Sequence, residues 1–140
     1  MERDRAVRTV ILAIGAFLAL SGIWAFASPA TFYERVASYP PPNMHLIRDI
    51  GAFQFGLGAT LLVSLVRNDG PLVALVGTAA GSVLHFFSHV IDAGRGGRPT
   101  DPLSIGLLTV VVVLAAVWRA RSVGRTTPEP GSAPGSPTAD

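Results

Sequence analysis

Cysteine and lysine are both missing from this 140-residue chain, and charged residues of any kind make up only 14% of it. Without cysteine there is no disulfide, thiolate metal site, iron–sulfur cluster or thiol redox chemistry on the protein itself. Without lysine, all 11 basic residues are arginines, and they stand in loops and at chain ends rather than in one block. The pI near 9.9 therefore reads as membrane topology, and nucleic acid is not an expected partner. Scarce charge goes with 49% hydrophobic residues and a mean hydropathy of +0.47, too apolar for an ordinary soluble domain. About 20 apolar residues cross a hydrocarbon core of about 30 Å. The length thus admits four crossings with short loops and leaves no room for a large soluble catalytic domain. The predicted fold class is all-α: a polytopic membrane protein with a four-helix transmembrane bundle in a lipid bilayer, followed by a disordered C-terminal tail.

Spans are expected at about 6–27, 44–66, 71–92 and 103–118, within the length range of membrane helices. Arg3, Arg5 and Arg8 lead into the first, where Gly15, Ala19 and Gly22 form a smooth stripe that lets helices pack closely. Ala25-Phe26-Ala27 has the form of a signal-peptidase site, but the apolar run exceeds a signal peptide's core of about 7–15 residues, which favours a retained helix. Ser28-Pro29 reads as a cap and first position of a short surface helix, with Phe32, Tyr33 and Val36 toward lipid and Glu34 and Arg35 toward water. Three prolines, Pro40 to Pro42, hold the chain extended, and Asn43 caps the second span. In that span Gly51, Gly56, Gly58 and Ala59 are candidate sites of close backbone approach, and Gln54 a candidate cross-helix hydrogen bond. A tight turn at Arg67-Asn68-Asp69-Gly70 precedes Pro71, the first residue of span three. Gly94 ends that span, residues 95–98 form a flexible loop, and Asp101-Pro102 starts span four. Residues 126–140 are almost entirely Pro, Gly, Ser, Thr and Ala, a composition that cannot bury a core. Trp24, Trp118, Tyr33 and Tyr39 lie near span ends, where amphipathic rings favour the interface.

Alternate sides of the membrane hold seven arginines (3, 5, 8, 67, 119, 121, 125) and four (35, 48, 95, 98). Both termini are therefore expected in the cytoplasm of an inner-membrane protein. All three histidines then fall toward the outer face. On a helical wheel His45, Asp49, Ala52 and Gly56 share one face of span two; Thr78, Gly81, His85, His89 and Asp92 share one face of span three. Facing each other, His45, Arg48, Asp49, His85, His89 and Asp92 would line a shallow polar pocket. Imidazoles and a carboxylate at i, i+4 spacing suit zinc, iron or manganese, so His45, His85, His89 and Asp92 are candidate metal ligands. Ionisable groups near helix ends also reach headgroups and water at small cost, and Arg48 and Asp49 then merely pair with a neighbour. Phe86 and Phe87 flank the histidines as an apolar lining or a lipid contact.

The Pro-x2-Phe segment of Pro29 and Phe32, together with the Arg-Asp-x-Gly start of Arg48, Asp49 and Gly51, resembles the DoxX-like group over about residues 6–120. That resemblance implies a four-helix bundle and, for some members, association with membrane redox complexes that use quinones. It carries no catalytic residue over. The functional expectation is a small accessory or ligand-binding membrane subunit with a polar His/Asp pocket near the outer face, linked to membrane redox or quinone chemistry and with other membrane subunits as partners. The alternative is an intramembrane metal-dependent enzyme using His45, His85 and His89. A metal ion and a quinone are accordingly the two cofactor classes left open. A proton-coupled multidrug-type transporter fits less well, because no carboxylate lies at mid-bilayer depth.

Overall fold

The computed structural model describes residues 2–66 and 70–124. Over them the chain forms α1 (Glu2–Ala27), α2 (Pro29–Arg35), α3 (Met44–Val66), α4 (Pro71–Ile91) and α5 (Asp101–Gly124), with no strand. Four of the five, α1, α3, α4 and α5, are long and apolar enough to cross a membrane. The protein is thus all-α with four spans, as the hydropathy implies. Most of the turn before Gly70, at residues 67–69, and the expected tail at 126–140 lie outside the described residues. The last helix runs past Trp118, so Arg119 and Arg121 belong to its final turns.

Local signals account for most of the helix ends. Asn43 accepts the Leu46 N–H at 3.1 Å through its side chain, satisfying one of the unpaired donors of the first turn. Pro71 occupies the start of α4, where its missing donor costs nothing. Gly94 takes a φ of +88° beyond the end of α4, a conformation glycine adopts without a Cβ clash. Two caps differ from expectation. Ser28 stands at the cap of α2, yet its side chain makes no capping bond; its carbonyl instead accepts the Thr31 hydroxyl at 3.0 Å. Asp101 is already inside α5, and its carboxylate turns back to accept the Arg98 N–H at 2.7 Å.

The helices pack as two pairs. In the first, α1 and α3 touch backbone to backbone. A Cβ on Gly22 would stand 2.7 Å from the Gly51 carbonyl oxygen, and one on Gly51 would stand 2.8 Å from that of Gly22. At Gly58 it would run into the Ala19 amide. The expected stripe of Gly15, Ala19 and Gly22 therefore meets Gly51 and Gly58. Gly56, expected to share in this, has no neighbour close to it. In the second pair α4 rests on α5, with Phe86 over Gly106 and the Thr109 hydroxyl donating to the Ser82 carbonyl at 3.1 Å.

All four spans meet in one core built from Val7, Ile11, Ile14, Leu18, Leu61, Ala74, Leu75, Val112, Ala115 and Ala116. That core lies toward the end where α1 begins and α5 finishes, and there Arg119 approaches Asp4 at 3.8 Å. The start of α1 and the end of α5 are consequently on the same side. Toward the opposite end the arrangement loosens. A second cluster of Ala25, Phe32 and Ile47 belongs to α1, α2 and α3 alone, and the buried residues of α4 stop at Thr78. Phe32, expected to face lipid, is buried and meets Trp24 edge-on at 5.2 Å between ring centres. Its ring fills the corner where α2 folds back onto α1 and α3. Gln54 does not supply the expected cross-helix bond through its carbonyl: Oε1 is buried without a partner.

Candidate functional site

The loosened end carries every histidine, but not in the expected arrangement. On α3 the packed face is defined by the buried Ile47, Gly51 and Gly58. At about 100° per residue, His45 and Asp49 lie on the far side of the helix from these three. Their side chains are 85% and 51% exposed, and they pair with each other, His45 Nε2 to Asp49 Oδ2 at 3.4 Å. Arg48 is exposed as well. The expected meeting of this face with α4 is not observed: among the described residues no hydrogen bond, ion pair or ring contact joins His45 or Asp49 to His85 or His89. The glycines that bring α1 against α3 dictate the rotation of α3, and that rotation carries His45 and Asp49 outward.

The α4 histidines are placed differently. His85 and His89 continue the helical face on which Ala74, Leu75 and Thr78 are buried at the other end. Their rings stack edge to face, 4.7 Å between centres and 86° between planes. His89 then reaches a group that the sequence reading had assigned only to the membrane interface, Tyr39, whose hydroxyl is 3.0 Å from Nδ1. Burial raises the Tyr39 hydroxyl above its usual pKa, and the carboxylates of Asp101 and Asp92 add to this. The hydroxyl keeps its proton and can donate to Nδ1 or accept from Nδ1–H, according to the tautomer of the His89 ring. Asp92 pairs with Arg95 at 2.7 Å rather than with a histidine.

Tyr39 is held by the docking of two loops. The Gly97 N–H donates to the Ser38 carbonyl at 3.1 Å, and the Arg98 guanidinium donates to the Arg35 carbonyl. A side chain at Gly97 would collide with the Tyr39 hydroxyl at 2.7 Å and with Asp101 Oδ2 at 2.8 Å. The φ of +73° at this residue also favours glycine. The segment 95–98, expected to be a flexible loop, is therefore pinned over the end of α4. A Tyr-Pro run and a Gly-Gly pair between spans were the available signals. Nothing in either segment names the other as its partner.

Chemically, the site offers two stacked imidazoles, one oriented by a tyrosine, with Phe86 and Phe87 as apolar neighbours 5.6 Å apart between ring centres. It presents hydrogen-bond donors and acceptors to a polar group and aromatic faces to an apolar one. Among the described residues no three His, Asp or Glu side chains gather as a group that could hold a metal ion. Fold and site together describe a class, a small multi-pass membrane protein with a histidine pair at one end of its bundle. No protein-family model, curated protein or solved structure matches the chain.

Proposed function

We propose that this small membrane protein is a ligand-binding or accessory subunit whose ligand is held by His85 and His89 beneath the docked loops. The observation that carries the reading is the Tyr39 hydroxyl 3.0 Å from His89 Nδ1, which orients the ring of a half-buried histidine. A ring held through Nδ1 presents Nε2 as a directed hydrogen-bonding group. The ligand class it suits is a flat apolar molecule with carbonyl oxygens, and the resemblance to the DoxX-like group points the same way, to a quinone. The arginine distribution supports a reading with both termini in the cytoplasm of an inner membrane and the site toward the outer face.

The test is a binding titration of a short-chain quinone against purified protein in nanodiscs. His89→Ala is expected to weaken binding about tenfold, the equivalent of about 1.4 kcal/mol, and His85→Ala to act in the same direction. His45→Ala, on the outward face of α3, is the control and leaves binding unchanged. Equal affinity for wild type and the His85/His89 double variant refutes the proposal.

A further inference from the structure

At the opposite end of the bundle the structure contains an open groove lined by Asp4, Arg5, Arg8, Thr9, Leu12 and Leu65. Arg5, Arg8, Thr9 and Leu12 follow the i, i+3, i+4, i+7 pattern that puts residues on one face of a helix. The groove therefore runs from charge to grease along α1. Its guanidinium end is where the span begins, and Leu12, 54% exposed, lies about two turns beyond Arg5. Charges within the groove are divided unequally. Asp4 is engaged by Arg119 at 3.8 Å, and Arg8 is anchored through its donation to the Leu65 carbonyl at 3.1 Å. The Arg5 carbonyl accepts the Thr9 hydroxyl at 3.0 Å, whereas its guanidinium is exposed and has no hydrogen-bond or ion-pair partner among the described residues. A polar, net cationic head above an apolar floor, at the depth where a membrane changes from headgroup to acyl chain, matches the polarity of a phospholipid from its phosphate downward.

We infer that this groove is a binding site for an anionic phospholipid. The phosphate accepts from the guanidinium of Arg5 with Arg8 beside it, and the first acyl segments lie on Leu12 and Leu65. A bidentate guanidinium contact is well suited to phosphate oxygens. The apolar floor distinguishes a lipid from a free phosphate, which would gain nothing from Leu12.

Native mass spectrometry of the full chain released from nanodiscs of mixed phosphatidylglycerol and phosphatidylcholine reads the site directly. Wild type is expected to retain one phosphatidylglycerol in preference to phosphatidylcholine. In Arg5→Gln that preference falls about fivefold, the equivalent of about 1 kcal/mol for one arginine at a membrane surface. Arg121→Gln, an exposed arginine of the same end but outside the groove, leaves it unchanged. Three results overturn the inference: no lipid preference in wild type, an equal loss in Arg121→Gln, which means general charge attraction, or displacement of the lipid by millimolar glycerol phosphate, which means a soluble-anion site.

Discussion

The interface of α1 with α3 and the interface of α3 with α4 are made from similar residues and differ completely in closeness. In the first, Gly22 faces Gly51 and Gly58 faces Ala19 with no space for a Cβ. In the second, contacts are sparse, and the α4 glycines Gly77 and Gly81 meet no neighbouring helix: a side chain at either would find open space. Apolar surface gains little by leaving lipid for another helix, so packing and hydrogen bonds decide which helices associate. Glycine is thus no predictor of contact by itself. It permits close approach where the opposing helix also offers a small residue in register, as Gly15, Ala19 and Gly22 do for Gly51 and Gly58. The tight interface then sets the rotation of α3, and with it the direction in which His45 and Asp49 point.

Glycine substitutions should split along this line and give the largest contrast. Gly58→Leu forces a side chain into the backbone of α1 and is expected to cost about 3 kcal/mol or more, the upper end of overpacking penalties. Gly81→Ala meets open space, and the better helix propensity of alanine offsets any loss, for a net change within about 1 kcal/mol. Unfolding midpoints in mixed detergent micelles measure both. A Gly81→Ala loss as large as that of Gly58→Leu would show that α4 packs against a surface absent from the monomer.

The spans and most of their ends were legible before the fold was known, because each rests on a local cause. Asn43 supplies an acceptor, Pro71 lacks a donor, Gly94 tolerates positive φ, and the apolar runs have the length of a bilayer. The candidate site was legible only in part. Helical spacing correctly put His85 with His89 and His45 with Asp49. It left undetermined which neighbour each face meets, since both sides of a span are apolar and the usual signal of an inward stripe is weak in lipid. The Tyr39 contact was illegible for a different reason. It joins residues 50 positions apart through two loops whose docking depends on backbone groups, Gly97 N–H and the Ser38 carbonyl, that every sequence possesses.

Double-mutant cycles sharpen the comparison at the level of single side chains. Tyr39→Phe and His89→Ala remove the two ends of one hydrogen bond and should be non-additive by about 0.5 to 1.5 kcal/mol. Asp49→Asn combined with His89→Ala should be additive within about 0.3 to 0.5 kcal/mol, as for independent sites. Coupling at Asp49 and additivity at Tyr39 would reverse the assignment of which polar segment belongs to the site.

The smallest expected effect is also the cleanest to assign, because of what the chain lacks. With no lysine and no cysteine, tyrosines are the only side chains that titrate between about pH 9 and 11, and Tyr33 and Tyr39 are the only two. Tyr39 has its pKa raised above 10.0 in the folded protein by burial, then by Asp101 and Asp92. Between the unfolded and folded values the unfolded chain has released this proton and the folded chain retains it. Stability therefore falls as pH rises through that window, and the contribution is fully present below about pH 10. Wild type should lose stability on this alkaline limb more steeply than Tyr39→Phe, while at pH 7 the variant shows only the loss of one hydrogen bond, about 0.5 to 1.5 kcal/mol. Superimposable alkaline slopes for the two proteins would mean that Tyr39 is not enclosed by the docked loops, and the open end of the bundle would then lack the contact that orients His89.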